Sequence, residues 1–437
     1  MVILPLTKKF NYLLLFVALL SCGLYGQTSR KTIDKSFAAK PNVSFKQSRG
    51  PLTVLPSTDG KIRLLTEMSV DADDKEEADL FLTKLASDIK ESSTQIDLEV
   101  GFAAIRSWNQ TNNRTRVIFK DGTKVKNVRN FKLTTRLYLP KTELLRLRTR
   151  FEDIDLHEDL QLGDLELELH NATVRGGNVS GDLMLELRFG KLKLGNVGGR
   201  VSGNLHNVKV GLGKVGDVNL VSRFTQVEMG AAKSLDLDSH NDRYEIESIG
   251  GELDITDRFG TFIIGATEDG KVNSHNGTFE IESGGKYSFN SRFANVEFDQ
   301  LQELDLRDNH NCDYEIKELH EVEGSGRFTT LEVDKLTGAA ELDFHNGKLY
   351  VDELGAKFSG IEVEGSFFEV RTSPPGSAAY RVFADLDFGT VNVPEDLIVV
   401  KSHKEHSKIE MEYKSANGSD AAPAIRVKGG NGKLKIN

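Results

Sequence analysis

The sequence predicts an all-β fold, a single-stranded β-helix (β-solenoid) with 17–18-residue coils and a small N-terminal α+β cap containing one helix. Three observations lead there. His-Asn pairs begin at His170, His206, His240, His275, His310 and His345, recurring every 34 to 36 residues. Arg-Phe pairs begin at Arg150, Arg188, Arg223, Arg258, Arg292 and Arg327 and are offset from the first series by half a period, so the elementary unit is 17 or 18 residues. Within units, the fourth and sixth residues after the first member of a pair are mostly apolar, as in Val227 and Met229, Tyr244 and Ile246, Phe279 and Ile281. The residue between them is often acidic, as in Glu228, Glu245 and Glu280. That period-two alternation marks strands with one buried and one wet face.

A unit this short builds no core alone and leaves its strand edges unpaired. Stacking units in register solves both problems, because inward side chains pile up and backbone groups pair with the coils on either side. A meander of antiparallel hairpins is the rival, but it gives no reason for equivalent positions to recur at a fixed interval. One coil of 17–18 residues and one four-stranded coil of 35 both fit the spacing. The arginine and histidine ladders interleave in the first case and separate in the second.

Residues 1–26 read as a signal peptide: Lys8 and Lys9, then an apolar run from Tyr12 through Leu20, then Ser21, Cys22 and Gly23. The run is too short to span a bilayer comfortably. Cleavage after Gly26 competes with a lipobox reading of Leu19-Leu20-Ser21-Cys22, which would place a lipid anchor on Cys22. Residues 27–140 form the capping region, with strands at Asn42–Val54, Lys61–Val70, Gln95–Ser107, Arg114–Phe119 and Phe131–Leu139. Its one helix opens at Asp71 and runs through Ile89, with Leu82, Leu85 and Ile89 at helical spacing and acidic residues in its first turn. Residues 141–372 are the repeat array. Residues 373–437 are a C-terminal β capping region whose last strand, Gly430 to Ile436, is expected to close the far end.

The chain has 437 residues, 38% hydrophobic and 28% charged, with a formal net charge of −10, which argues against a nucleic-acid partner held by phosphate neutralisation. No second apolar run reaches spanning length, so no transmembrane span is expected after processing. Two cysteines, Cys22 and Cys312, build neither a disulfide framework nor a cysteine-rich zinc site.

The histidine ladder is read as a turn ladder, in which asparagine accepts a left-handed conformation, rather than as a metal site. The arginines are read as partners of the many outward carboxylates. His403-Lys404-Glu405-His406 is read as a solvated loop, and the tolerance of Cys312's repeat position assigns it no special chemistry. Nucleophile elbows, phosphate-binding loops and dinucleotide fingerprints are absent from the sequence, so no catalytic residue and no cofactor is expected.

Units such as Ser222-Arg223-Phe224-Thr225-Gln226-Val227-Glu228-Met229-Gly230 followed by Leu235-Asp236-Leu237-Asp238-Ser239 resemble the “putative adhesin” family of bacterial secreted β-helix proteins. The Tyr138-Leu139-Pro140 entry and the final Asn431 to Ile436 strand are similar to that family's plan. The resemblance implies a secreted or cell-surface, adhesin-like β-helix and little about its ligand. With the signal-like N-terminus the chain is expected to be exported, non-enzymatic, and secreted, periplasmic or on the cell surface of a Gram-negative envelope, its partner an unidentified surface glycan or protein. An envelope scaffold or lipoprotein docking a protein partner is the alternative. A carbohydrate-cleaving β-helix would need long projecting loops, and the gaps between strands here are mostly a few residues.

Overall fold

A computed structural model describes residues 27–437 except 86, 102–103, 112–113 and 375–377. Residues 1–26, read above as a signal peptide, lie outside the described residues, and Cys22 with them. The chain divides into two compact units, one of residues 1–163 with 168–177 and one of residues 164–167 with 178–437.

In the first unit, β1 (Gln27–Phe37), β2 (Asn42–Gln47), β3 (Leu52–Pro56) and β4 (Ile62–Ala72) precede α1 (Lys75–Lys84). There follow β5 (Ser87–Glu91), β6 (Gln95–Val100), β7 (Ile105–Thr111), β8 (Arg114–Phe119), β9 (Lys124–Leu139), β10 (Thr142–Arg150) and β11 (Asp153–Leu156). The helix is shorter than the periodicity predicts. Asp74 caps it, its carboxylate accepting from the Glu76 N–H at 3.0 Å, but Leu85 is already extended. Ile89 instead sits in β5, opposite Leu98 of β6, so strand pairing overrides helical spacing. Two segments read as single strands are split where Gly50 and Gly101 take φ of 90°, a conformation glycine adopts without steric cost. A side chain at Gly50 would run into the Leu133 carbonyl, 2.3 Å from an added Cβ.

Phe81 buries the helix against an aromatic cluster, with ring centroids 5.9 Å from Trp108, 5.3 Å from Phe131 and 6.0 Å from Phe119. On one side β4 lies antiparallel between β1 and β9. Parallel stacking is already present in this unit. β2 lies parallel to β6 and β10, and β3 parallel to β9 and β11, so Phe45 sits between Leu98 and Leu147 and Val54 between Leu137 and Leu156.

The second unit is a solenoid of parallel strands. Val218, Leu235, Leu253, Gly270, Tyr287, Leu304, Val322, Ala340 and Ile361 are successive rungs of one ladder. Up to Ala340 the steps are 17 or 18 residues, so one coil is one elementary unit, and neither the 35-residue coil nor the antiparallel meander describes this region. Each coil is two strands joined by a corner, as in Asp217–Arg223 and Gln226–Ala232.

Inward residues pile into columns. Tyr244, Phe262 and Phe279 stack face to face at 5.6 and 4.9 Å with interplanar angles of 11° and 6°, all fully buried. Gly270 makes room for the next column, since a Cβ there would lie 2.2 Å from the Tyr287 ring.

The C-terminal strand does not close the far end. Ala424–Gly430 inserts between Gly360–Ser366 and Arg381–Asp387, parallel to both, and Lys433–Ile436 inserts between Glu369–Thr372 and Thr390–Asn392. The last coil in sequence is therefore interior in the stack. Beyond Arg381–Asp387, the antiparallel strands Lys408–Lys414 and then Ile398–Glu405 continue the sheet. His403 thus lies on a strand and His406 in the tight turn after it, rather than in a loop.

Candidate ligand-binding corner

The repeated pairs meet at one corner of each coil. In the second unit Arg188, His206, Arg223, His240, Arg258, His275, Arg292, His310, Arg327 and His345 are consecutive rungs. The arginine and histidine ladders interleave. Residues two rungs apart are about 9.6 Å apart at the usual strand spacing, so the guanidiniums alternate with imidazoles instead of crowding.

The next residue is the corner itself and alternates between phenylalanine and asparagine. Phe189, Asn207, Phe224, Asn241, Phe259, Asn276, Phe293, Asn311, Phe328 and Asn346 all take positive φ between 52° and 63°. Asparagine is the common non-glycine choice there, whereas a bulky residue costs on the order of 1–2 kcal/mol. Backbone pairing runs through the corner: the Phe224 N–H donates to the His240 carbonyl at 3.0 Å and the Asn241 N–H to Arg258 at 2.9 Å. The phenylalanine rings, in turn, find partners in the neighbouring coils. His206, Phe224, His240, Phe259, His275 and Phe293 form an edge-to-face column with centroids 5.8–6.1 Å apart. Each such pair contributes roughly 0.5–1.5 kcal/mol.

Asn241 Nδ2 lies 2.8 Å from His240 Nδ1, and Asn276 Nδ2 lies 2.6 Å from His275 Nδ1. Amide donation to Nδ1 leaves the ring proton on Nε2, facing outward from that bond. In the first unit the same motif appears once: Phe151 packs edge to face on His170 at 5.7 Å, beside the exposed Arg150.

Despite their packing, the rings stay half open. Phe224 is 52% exposed, Phe259 50% and Phe293 49%. The arginines differ from expectation. Among the described residues Arg150, Arg188, Arg223, Arg258, Arg292 and Arg327 are exposed and join no ion pair, while outward carboxylates elsewhere take lysines, as Glu228 takes Lys209 at 2.7 Å and Glu303 takes Lys286 at 2.9 Å. For Arg223, Arg258, Arg292 and Arg327 the reason is positional: the flanking outward residues of the same coil are uncharged, Val221 and Gln226, Thr256 and Thr261, Asn290 and Asn295, Ser325 and Thr330.

Two carboxylates that sequence reasoning left unassigned lie inside this corner. Asp242 is 4% exposed and accepts from Ser222 Oγ at 2.7 Å, Ser239 Oγ at 3.0 Å, the His240 N–H at 2.9 Å and the Thr225 N–H at 2.6 Å. Asp257, 3% exposed, accepts from the Gly260 N–H at 3.0 Å and Ser274 Oγ at 3.3 Å, and burial holds its carboxyl above the usual range. Asp242 occupies the place of Val208 and Cys312 in other coils, and that polar exception was the available signal. Cys312 is buried, its thiol donating to the Ser291 carbonyl at 3.3 Å, and burial pushes it up. Among the described residues no group of three or more histidine, cysteine or acidic side chains is placed to hold a metal ion, and no helix is long and apolar enough to cross a membrane.

No family model matches the chain, and no curated protein does. Solved structures similar to it include a “putative adhesin” from Parabacteroides distasonis, at 12% identity and a TM-score of 0.20, covering 94% of this chain and 98% of that one. A “putative cell adhesion protein” from Clostridium sporogenes matches at 12% identity and a TM-score of 0.17, covering 93% and 99%. A “putative lipid binding protein” from Parabacteroides distasonis matches at 8% identity and a TM-score of 0.17, covering 94% and 98%. At these identities and TM-scores the likeness carries no functional argument.

Proposed function

We propose that this chain is an exported, non-enzymatic solenoid that adheres to a surface-borne ligand through its repeated corner. The supporting observation is the column of half-open phenylalanines beside arginines that have no carboxylate partner. Exposed aromatic surface in a regular row is unusual for a solvated face and typical of a binding face. A row of equivalent positions suits a ligand that is itself repetitive, because each added coil adds one more contact of the same kind. The apolar run before Cys22 supports export.

Catalysis would call for paired acids facing a cleft, and the buried carboxylates Asp242 and Asp257 are sealed inside the coil instead. The test is incubation of the purified mature chain with immobilised neutral and acidic glycans and with whole bacterial envelopes, scoring both retention and product release. Retention without release of shortened chains is the expected result. Release of oligosaccharides would overturn the non-enzymatic reading, and no retention on any surface would overturn adhesion.

A further inference from the structure

The corner between Arg223 and Arg292 differs from the rest of this acidic protein in its flanks. On one side the ladder reads Val221, Asp238, Thr256, Asn273, Asn290, with Asp238, in the coil of His240, its one carboxylate. On the other it reads Gln226, Arg243, Thr261, Thr278, Asn295. No outward carboxylate stands in either flank over the coils of Arg258 and Arg292, although the chain carries a net charge of −10. Arg243 pairs with Glu245 at 2.7 Å, which leaves Arg223, Arg258 and Arg292 as the free cations of the patch.

We propose, building on the adhesive reading, that this stretch binds a linear anionic polysaccharide carrying one carboxylate or sulfate per disaccharide. The three guanidiniums recur every second rung, about 9.6 Å at ordinary strand spacing, and a disaccharide in an extended chain has a comparable rise. Guanidinium offers bidentate, charge-assisted hydrogen bonds that match planar carboxylate and the oxygens of sulfate. Phe224, Phe259 and Phe293 each stand beside one of these arginines, offering apolar surface to the C–H face of a sugar ring. The Thr256, Asn273 and Asn290 flank and the Thr261, Thr278 and Asn295 flank supply neutral donors and acceptors for hydroxyls without repelling the anion. One site thus combines the charge, stacking surface and polar rim that a sugar acid needs.

The repeat itself provides variants that preserve the fold. Asparagine already occupies the same positive-φ position in alternate coils, so Phe224→Asn, Phe259→Asn and Phe293→Asn remove the rings while keeping the corner. Binding is measured by calorimetry for hyaluronan decasaccharide, which carries one carboxylate per disaccharide, against neutral dextran, polyglutamate and duplex DNA. The mature chain is expected to bind hyaluronan, to ignore dextran, and to bind polyglutamate and DNA more weakly at equal charge.

The triple Arg223→Gln, Arg258→Gln, Arg292→Gln variant should weaken hyaluronan binding at least about tenfold. The triple asparagine variant should weaken it by a similar factor while keeping the dependence on salt. Absence of hyaluronan binding, equal affinity for polyglutamate or DNA, or unchanged affinity in both triple variants would each overturn the proposal. If both variants keep the wild-type retention on envelopes, this site falls while the adhesive reading stands.

Discussion

A chain lacking residues 424–437 is expected to lose ordered structure from about Gly360 onward rather than just its last coil. The deleted strands are flanked on both sides, Ala424–Gly430 by Gly360–Ser366 and Arg381–Asp387, and Lys433–Ile436 by Glu369–Thr372 and Thr390–Asn392. Removing them exposes two facing rows of backbone N–H and C=O groups that have no other partner. It also uncovers the core surface around Ile425, Val427, Leu434 and Ile436, each no more than 4% exposed, worth roughly 1.5–3 kcal/mol per side chain. Among the described residues no strand pairing joins Gly360–Ser366 to Arg381–Asp387 directly, so Arg381–Lys414 is expected to come away from the array.

A point variant makes the same test without shortening the chain. Ile425→Asp places a charge in a fully buried position between Ile361 and Val382 and is expected to cost more than about 4 kcal/mol. Limited proteolysis followed by mass mapping reads both variants. Rapid cleavage within 360–414, with the array before it resistant, is the expected pattern. Uncut protein would contradict the interleaved arrangement.

The second large effect is expected at the centre of the aromatic stack. Phe262 is fully buried between Tyr244 and Phe279, with rings parallel to both. Phe262→Ala removes the ring and leaves a void that the neighbouring coils cannot fill, since the backbone ladders on each side hold the rung spacing. A cost of about 3–5 kcal/mol follows for a phenylalanine truncated in a packed core. Because each coil contacts only its neighbours, the loss is local in origin yet divides the stack into halves that couple less well. Urea unfolding followed by far-UV circular dichroism is expected to show an earlier, broader transition. A midpoint shift equivalent to less than about 1 kcal/mol would mean that stacking contributes little to coil-to-coil cohesion.

Much of this architecture is written in the sequence because a solenoid repeats its instructions. The His-Asn and Arg-Phe pairs named the corner, and the alternation of residues such as Tyr244, Glu245 and Ile246 named the inward face. What stayed hidden depended on contacts between distant segments. The strand Ala424–Gly430 carries the same alternation as any other coil, so nothing local reveals that it inserts between two earlier ones. The helix ended early because Ser87–Glu91 found a partner in Gln95–Val100, and helical spacing does not register such competition.

The corner was legible in outline and misread in chemistry. Pairing the arginines with outward carboxylates is the ordinary expectation for a surface rich in both charges. It fails here because neighbours are set by register, and register places Thr256, Asn273 and Asn290 beside Arg258 and Arg292 rather than the glutamates of the strand faces. The Arg-Phe pairs marked the repeat without showing where the ring goes: Phe259 follows Arg258 at a position of positive φ and stays half exposed.

Nitroxide labels on cysteine pairs test the central claim most directly, in a Cys312→Ser background at positions 240 and 258, 240 and 275, and 240 and 292. With one unit per coil, the backbone separations are about one, two and three strand spacings, so dipolar broadening falls steadily from 240/258 to 240/292. Strong broadening for 240/275 with little for 240/258 would instead put histidines and arginines in separate columns, and the single corner of aromatic and basic side chains would not exist.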